Sequence, residues 1–398
     1  MLLELATDID SPSGYSSFAR SFGEALYKAG VQLKLSPRKH DRTSIPLDEF
    51  WAEKMKEFSA VREKPDIRMH IETPEFFQLV PGVKNIGFTF WETDKIPGAV
   101  RDGEPGVPAQ FNWVNQMNMM DEMWTSADSA VEAFRESGVT VPIRNIGVPL
   151  EFLEEKEELP INGISVDQGG RAIPRDKRPI VIGSVAQFNF RKNIEDLILS
   201  VCSEFRGHEV VLLLKTYGSR QNDPQQEQAI KQRVIGLKNA LGWKDIPQVV
   251  LVQSTLSDKD MRKFYNSMDM FVTCTRGEGF CIPAAQAMGT GLPTLCTGWS
   301  AMMDFVKAGE TGWPISYQME PVYGMPFIPW YRPDQNWARI NMVDLMKTMR
   351  SVYNGIKNDD ETITGIAAEG ARRVRELYSP KVIGALGYQY LQEALVRE

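Results

Sequence analysis

Apolar and polar positions alternate in blocks along this chain. Short apolar runs are followed by stretches whose apolar residues fall three and four apart, the two periods of strand and helix. Leu2 to Ala6 predicts a strand, and Asp8 to Ser13 a turn. Gly14 precedes an amphipathic helix from about Ser16 to Ala29, with Phe18, Phe22, Ala25 and Leu26 on one face; Gly30 closes it, and Val31 to Leu35 is the next strand. A strand, a helix and a second strand in that order predict parallel pairing. Ile67–Ile71, Lys84–Trp91, Asp121–Ser126 and Ile143–Gly147 continue as strands, with a helix at Ala127–Ser137.

The period then lapses. Glu151 to Pro179 carries an EEKEE run, Gly163, Gly169 and Gly170, and reads as a linker. A second alternating set follows. Its strands are Pro179–Val185, His208–Lys215, Val249–Val252, Asp269–Thr275 and Leu292–Cys296; its helices are Ile194–Phe205, Gln225–Leu241, Ser257–Ser267 and Ala284–Met288. Thr311 to Arg339 is rich in proline and aromatic residues and has no period, which suits a packed surface excursion or an acceptor-contact surface. Helices at Met342–Tyr353, Thr364–Leu377 and Lys381–Val396 end the chain. The expected fold is α/β, with two doubly wound domains at 1–160 and 179–380, a linker at 161–178, and a last helix at 381–398.

Composition narrows the class. At 398 residues with 42% hydrophobic and 24% charged, the sequence is long enough for two folded domains. No run reaches the length of a membrane span, and MLLELATDIDSPSG lacks the basic start and apolar core of a secretory signal. Cys202, Cys274, Cys281 and Cys296 have no paired ligand spacing and read as reduced thiols, so the expected compartment is cytoplasmic. His40, His70 and His208 are too scattered for a metal centre. A net charge of −7 excludes a globally basic nucleic-acid binder and leaves a nucleic-acid acceptor open. The basic run LSPRKHDR reads as a solvated loop.

The most informative stretch is Asp269 to Gly298. A strand runs into the loop Arg276-Gly277-Glu278-Gly279-Phe280-Cys281, Pro283 stands where the first helical residue belongs, and Gly289 and Gly291 end the helix. Glycines let a ligand approach the backbone, and unpaired N–H groups at a helix start suit an anion or a hydroxyl. Glu278 lies above that start and Gln286 about one turn in, so both can face one ligand. An ordinary βαβ crossover would also place glycines here, and Glu278 could simply pair with Arg276. Arg191 and Lys192 follow the strand ending near Val185, at a helix start, which is the unfavourable end for cations. A diphosphate would reward them there. Lys215 and Thr216 end another strand. Elsewhere Ser13-Gly14-Tyr15, Glu92 and Asp94 sit just past predicted strands, where open α/β sheets bind ligands, or else cap turns.

As a whole the stretch from Glu278 resembles the carboxyl-domain signature of retaining glycosyltransferases of family 4, which have the GT-B fold of two Rossmann-like domains. Glu278, Gly279, Phe280, Pro283, Ala287, Met288, Gly291 and Pro293 match that signature. Cys281 replaces its usual glycine, and Gln286 its second glutamate. Gly87 to Pro149 also resembles amino domains of the family. The resemblance implies a last helix, 381–398, that returns to the first domain, and a retaining, metal-independent transfer without a protein nucleophile, from a nucleoside-diphosphate sugar (UDP- or GDP-linked) and with no resident cofactor.

Lys192 falls on the family's diphosphate lysine. The family's partner arginine, six residues earlier, is Ala186 here, and Arg191 is the substitute. Expected donor contacts are Gly14, Lys192, Val252, Thr255, Glu278, Gly279, Phe280, Cys281 and Gln286, with Glu278, Lys192 and Arg191 carrying the chemistry. The family's cleft histidine is not evident; Glu92, Asp94, Asn115 and Asn118 are the acceptor-side substitutes. The acceptor (glycan, lipid, protein or nucleobase) is not readable. A nucleotide-sugar epimerase or phosphorylase of the same fold, and a non-catalytic binding module, are the alternatives.

Overall fold

Parallel pairing is what strand–helix alternation demands, because each strand must re-enter the sheet from the same end. The computed structural model describes all residues except 12, 38–44, 99–111, 153, 154, 156, 221 and 398. The chain forms two compact units. The first comprises Met1–Glu151, Pro321–Asn336 and Glu376–Glu398, and the second Phe152–Glu320 and Trp337–Arg375.

The first unit is built on β1 (Leu2–Thr7), β2 (Gln32–Pro37), β3 (Ile67–Ile71), β4 (Lys84–Phe88), β5 (Glu122–Thr125) and β6 (Ile143–Asn145). They form one sheet in the order β2-β1-β3-β4-β5-β6, every pair parallel. Its helices are α1 (Gly14–Lys28), α2 (Glu49–Ala60), α3 (Trp113–Asn118) and α4 (Asp128–Glu136), with α11 (Pro380–Val396) from the far end of the chain. Ser13 caps α1 by accepting the Ser16 N–H. The predicted face of α1 is the buried one: Phe18 stacks on Phe88 at 4.0 Å and on Phe22 at 5.1 Å. The α11 helix crosses α1 so closely that a Cβ on Gly384 would lie 2.4 Å from the Ala25 carbonyl oxygen.

Two helices escape the sequence pattern. The α2 helix buries only Trp51 and Phe58, seven residues apart, and its Asp48 cap was the available signal. The α3 helix has six residues, too few to show a period. Lys84–Trp91 ends as a strand at Phe88. Of the basic run, residues 38–42 lie outside the described residues, as do His40 and parts of the EEKEE run. Lys34, just before that run, faces Glu4 at 3.5 Å.

The second unit contains β7 (Ile180–Gln187), α5 (Ile194–Glu204), β8 (Val210–Tyr217), α6 (Pro224–Leu241), β9 (Gln248–Val252), α7 (Asp258–Asn266), β10 (Met270–Thr273), α8 (Ile282–Gly289), β11 (Thr294–Thr297) and β12 (Trp313–Ile315). The sheet order is β12-β11-β10-β7-β8-β9, again parallel throughout. The chain winds outward from β7 to β9, then returns to the centre at β10 and winds the other way. Ile182, Leu212 and Leu214 bury one sheet face under α5, α6 and α9 (Met342–Lys357). On the opposite face Gly183 admits Met268, whose Sδ would sit 2.1 Å from an added Cβ. Helix α10 (Glu361–Tyr378) then leads from this unit into the first.

The aromatic insert divides between the units. Strands β13 (Tyr317–Pro321) and β14 (Asn336–Ile340) pair with each other. Trp330 and Tyr331 pack on Trp113 and Trp91 in the first unit, and Trp337 is fully buried near Phe190 in the second. Phe327 is 94% exposed. Packing accounts for most of these rings.

Candidate functional site at the switch point of the second sheet

Where a doubly wound sheet reverses its winding, the loops at the carboxyl ends of the two central strands diverge and leave a crevice. In the second unit those strands are β7 and β10. The loop after β7 carries Phe188 to Asn193, and the loop after β10 carries Cys274 to Cys281. Both loops are held by backbone geometry. Asn193 takes a left-handed φ of 53° just before α5 and donates its side-chain amide to Asp196 at 3.0 Å. The Arg276 N–H donates to the Arg191 carbonyl at 2.7 Å. The Arg276 guanidinium stacks 4.0 Å above the Phe190 ring, donates to the Phe190 carbonyl at 2.7 Å and pairs with Glu320 at 2.9 Å. Arg276 therefore fastens the loops together, and Glu278 pairs elsewhere.

Glu278 is 5% exposed and lies between two cations. Lys192 Nζ is 2.6 Å from its Oε1, and Arg191 Nη1 is 3.2 Å from its Oε2. Its backbone N–H donates to Ser300 Oγ at 3.1 Å. Burial would raise its pKa; the charges of Lys192 and Arg191, with hydrogen bonds from Lys192 and Thr275, outweigh that and hold it down at about 2. One carboxylate against two cations leaves the cluster with a surplus positive charge, beside the N-termini of α5 and α8. That combination is suited to an anion bearing hydroxyl groups.

The helix that follows begins one residue earlier than its proline suggested. Ile282 is its first residue and Pro283 its second, while Cys281 caps it at φ 73°, ψ 60°. That left-handed backbone is where glycine is favoured, and here a cysteine occupies it. Burial, with the charge of Glu278, pushes its thiol up to about 12.

Residues 167–318 match the model of the family described as Glycosyl transferases group 1. Over those residues the chain is similar to group 1 glycosyl transferases. No curated protein matches it in sequence. Among solved structures, a sucrose-phosphate synthase from Thermosynechococcus elongatus superposes with a TM-score of 0.65 at 17% identity, over 99% of this chain and 98% of that one. Anabaena HepE in complex with UDP and glucose gives 0.64 at 12%, over 99% and 100%. The lipopolysaccharide outer core galactosyltransferase WaaB gives 0.56 at 12%, over 99% and 100%. At such identities the likeness is one of fold, and the fold is GT-B.

The remaining candidates divide between the two units. Gln286 accepts a hydrogen bond from the Tyr265 hydroxyl at 3.1 Å, so its amide N–H groups are the part presented to other partners. Gly279 and Phe280 are buried beside Glu278, and the Phe280 ring packs 5.7 Å from Phe305. Val252 ends β9, and Thr255 beyond it is tied to Asn222 by a 2.9 Å hydrogen bond. Gly14, Glu92, Asp94 and Asn115 belong to the first unit. Gly14 is the first residue of α1, with open space around a would-be Cβ. Asp94 uses both carboxylate oxygens on Asn336, accepting its backbone N–H at 2.6 Å and its side-chain amide at 2.8 Å. Asn115 is exposed on α3, and Asn118 bonds Gly138 and Thr140. Asp94 and Asn118 are thus committed to structure.

Ser300, Thr275 and Tyr217 were missed from sequence. Ser300 holds φ 63° and supports the Glu278 backbone, yet nothing in the string CTGWSAM marks it. His70 is 2% exposed at the end of β3, with Nε2 2.9 Å from the Gln78 carbonyl, and is a core histidine.

Proposed function

We propose that the protein is a retaining glycosyltransferase that moves a hexosyl-type sugar from a UDP- or GDP-linked donor to an acceptor hydroxyl. The Arg191–Glu278–Lys192 cluster at the switch point carries this reading. In the reaction the anomeric C–O bond to the diphosphate breaks, the acceptor oxygen bonds to the anomeric carbon, and the acceptor proton passes to the departing phosphate oxygen. Arg191 and Lys192 stabilise the charge that grows on that diphosphate, and the N-terminus of α5 adds oriented N–H groups. Glu278, held ionised by its neighbours, accepts from sugar hydroxyls and keeps both cations in place when no phosphate is between them. HepE, which shares the fold, is described with UDP-glucose, and this supports a uridine nucleotide.

Calorimetric titration with UDP-, GDP- and ADP-sugars tests the reading. Binding of one of them in the micromolar to millimolar range is expected; failure to bind any of them, and any nucleoside diphosphate, would sink it. Product analysis with and without acceptor then separates a transferase from an epimerase or a phosphorylase.

A further inference from the structure

Lys215 lies near the carboxyl end of β8. It is 7% exposed, and the described residues give its ammonium neither a hydrogen bond nor an ion pair. Its nearest named contact is the ring of Tyr217, 5.6 Å from Nζ. Residues 215 and 217 share one face of β8, so the side chain runs along the strand towards its carboxyl end. Glu227 acts on it through space without pairing, and burial dominates, lowering its pKa. An ammonium without a partner at the end of so enclosed a side chain is costly unless something completes it.

Its position says what that would be. Lys215 is in register with Val185 on β7 and with Val252 on β9. It therefore lies between the strand that leads to Arg191 and Lys192 and the strand that ends at Val252, which with Thr255 is an expected donor contact. Tyr217 links it to the cation cluster, since Glu278 and Arg191 both act on the Tyr217 hydroxyl. One strand spacing, roughly 5 Å, separates Lys215 from Val185 on β7, the strand whose following loop carries Arg191 and Lys192.

We propose that Lys215 reads the donor's base, donating a hydrogen bond from its ammonium to a ring carbonyl and so selecting uracil or guanine over adenine. This rests on the donor-binding reading above. Uracil and guanine present carbonyl oxygens, whereas adenine presents an amino group that would oppose an ammonium; a site built around a buried donor rejects the analogue that leaves it unpaired.

The experiment is a titration of the full chain and of Lys215→Met with UDP, GDP, ADP and inorganic pyrophosphate, with thermal unfolding run alongside. Wild-type protein should bind UDP or GDP at least tenfold more tightly than ADP. Lys215→Met should lose that preference, weakening for the favoured nucleotide by tenfold or more while ADP and pyrophosphate change less than twofold. Three outcomes overturn the proposal: a wild type that does not prefer a carbonyl base, a variant that keeps the preference, or a pyrophosphate loss as large as the nucleotide loss. The wild-type preference needs no variant, so a Lys215→Met chain that fails to fold leaves the first outcome decisive. If wild-type protein binds no nucleotide at all, the donor reading falls first and takes this one with it.

Discussion

The two sheets have the same strand count and direction, yet their switch points carry opposite chemistry. In the second unit the winding reverses between β7 and β10, and the loops there bring Arg191 and Lys192 to one carboxylate, Glu278. In the first it reverses between β1 and β3, and the residues beyond those strands are Asp8, Ser13, Tyr15, Glu72 and Glu75. Tyr15 donates to or accepts from Thr89 at 2.8 Å; burial pushes its pKa up, and Glu92 and Glu75 add to the rise. Burial likewise raises Glu75, with Glu72 adding. The scaffold fixes where loops converge, and the loop residues alone decide which charge meets there.

The largest test of that contrast is removal of the carboxylate from the cationic edge. Glu278→Ala should lower the transfer rate by at least ~100-fold, with circular dichroism unchanged, whereas Glu75→Gln should leave affinity for a nucleoside diphosphate within about twofold, a margin set by charge screening. Equal losses of donor affinity in both variants would erase the division.

Next in size is packing. Gly384→Val forces a side chain into the Ala25 backbone and should destabilise the protein by roughly 1–3 kcal/mol, read from urea unfolding, with donor affinity in the second unit unaltered.

Acid should act on the two edges in opposite senses. Glu278 is depressed from 4.5 to about 2, so the stability it contributes is present above 4.5 and lost as pH falls towards 2. Glu75 is raised, so its burial costs least when it is protonated, and that cost appears as pH rises through its folded value. Titrating the unfolding midpoint of Glu278→Gln and Glu75→Gln against wild type resolves the two slopes; slopes of one sign would contradict the assignment.

The smallest effect expected is at the motif's altered glycine. Cys281→Gly relieves a left-handed residue and should stabilise by about 1 kcal/mol, visible as a modest rise in the unfolding midpoint without loss of donor binding.

Legibility followed the same division. Strand–helix alternation gave the parallel sheets because buried parallel strands are nearly uniform apolar runs, as in Val210–Tyr217. The site was legible where chemistry is local in sequence: Arg191, Lys192 and Glu278 were named from their loops, and the structure brings all three together. It was illegible where the contact depends on tertiary return. Ser300 meets Glu278 across 22 residues, Arg276 reaches Glu320 across 44, and the Glu278–Arg276 alternative gave way because Phe190 and Glu320 claim the guanidinium. Helix α2 was missed because two aromatic anchors do not make a period.

All four cysteines of the chain are buried, and all four lie between residues 202 and 296, inside the second unit. A thiol-reactive dye can therefore report on that unit and is silent on the other. The rate at which native protein takes up label measures how often the second unit breathes open, and a nucleotide sugar that binds there as proposed should slow the uptake in proportion to its occupancy.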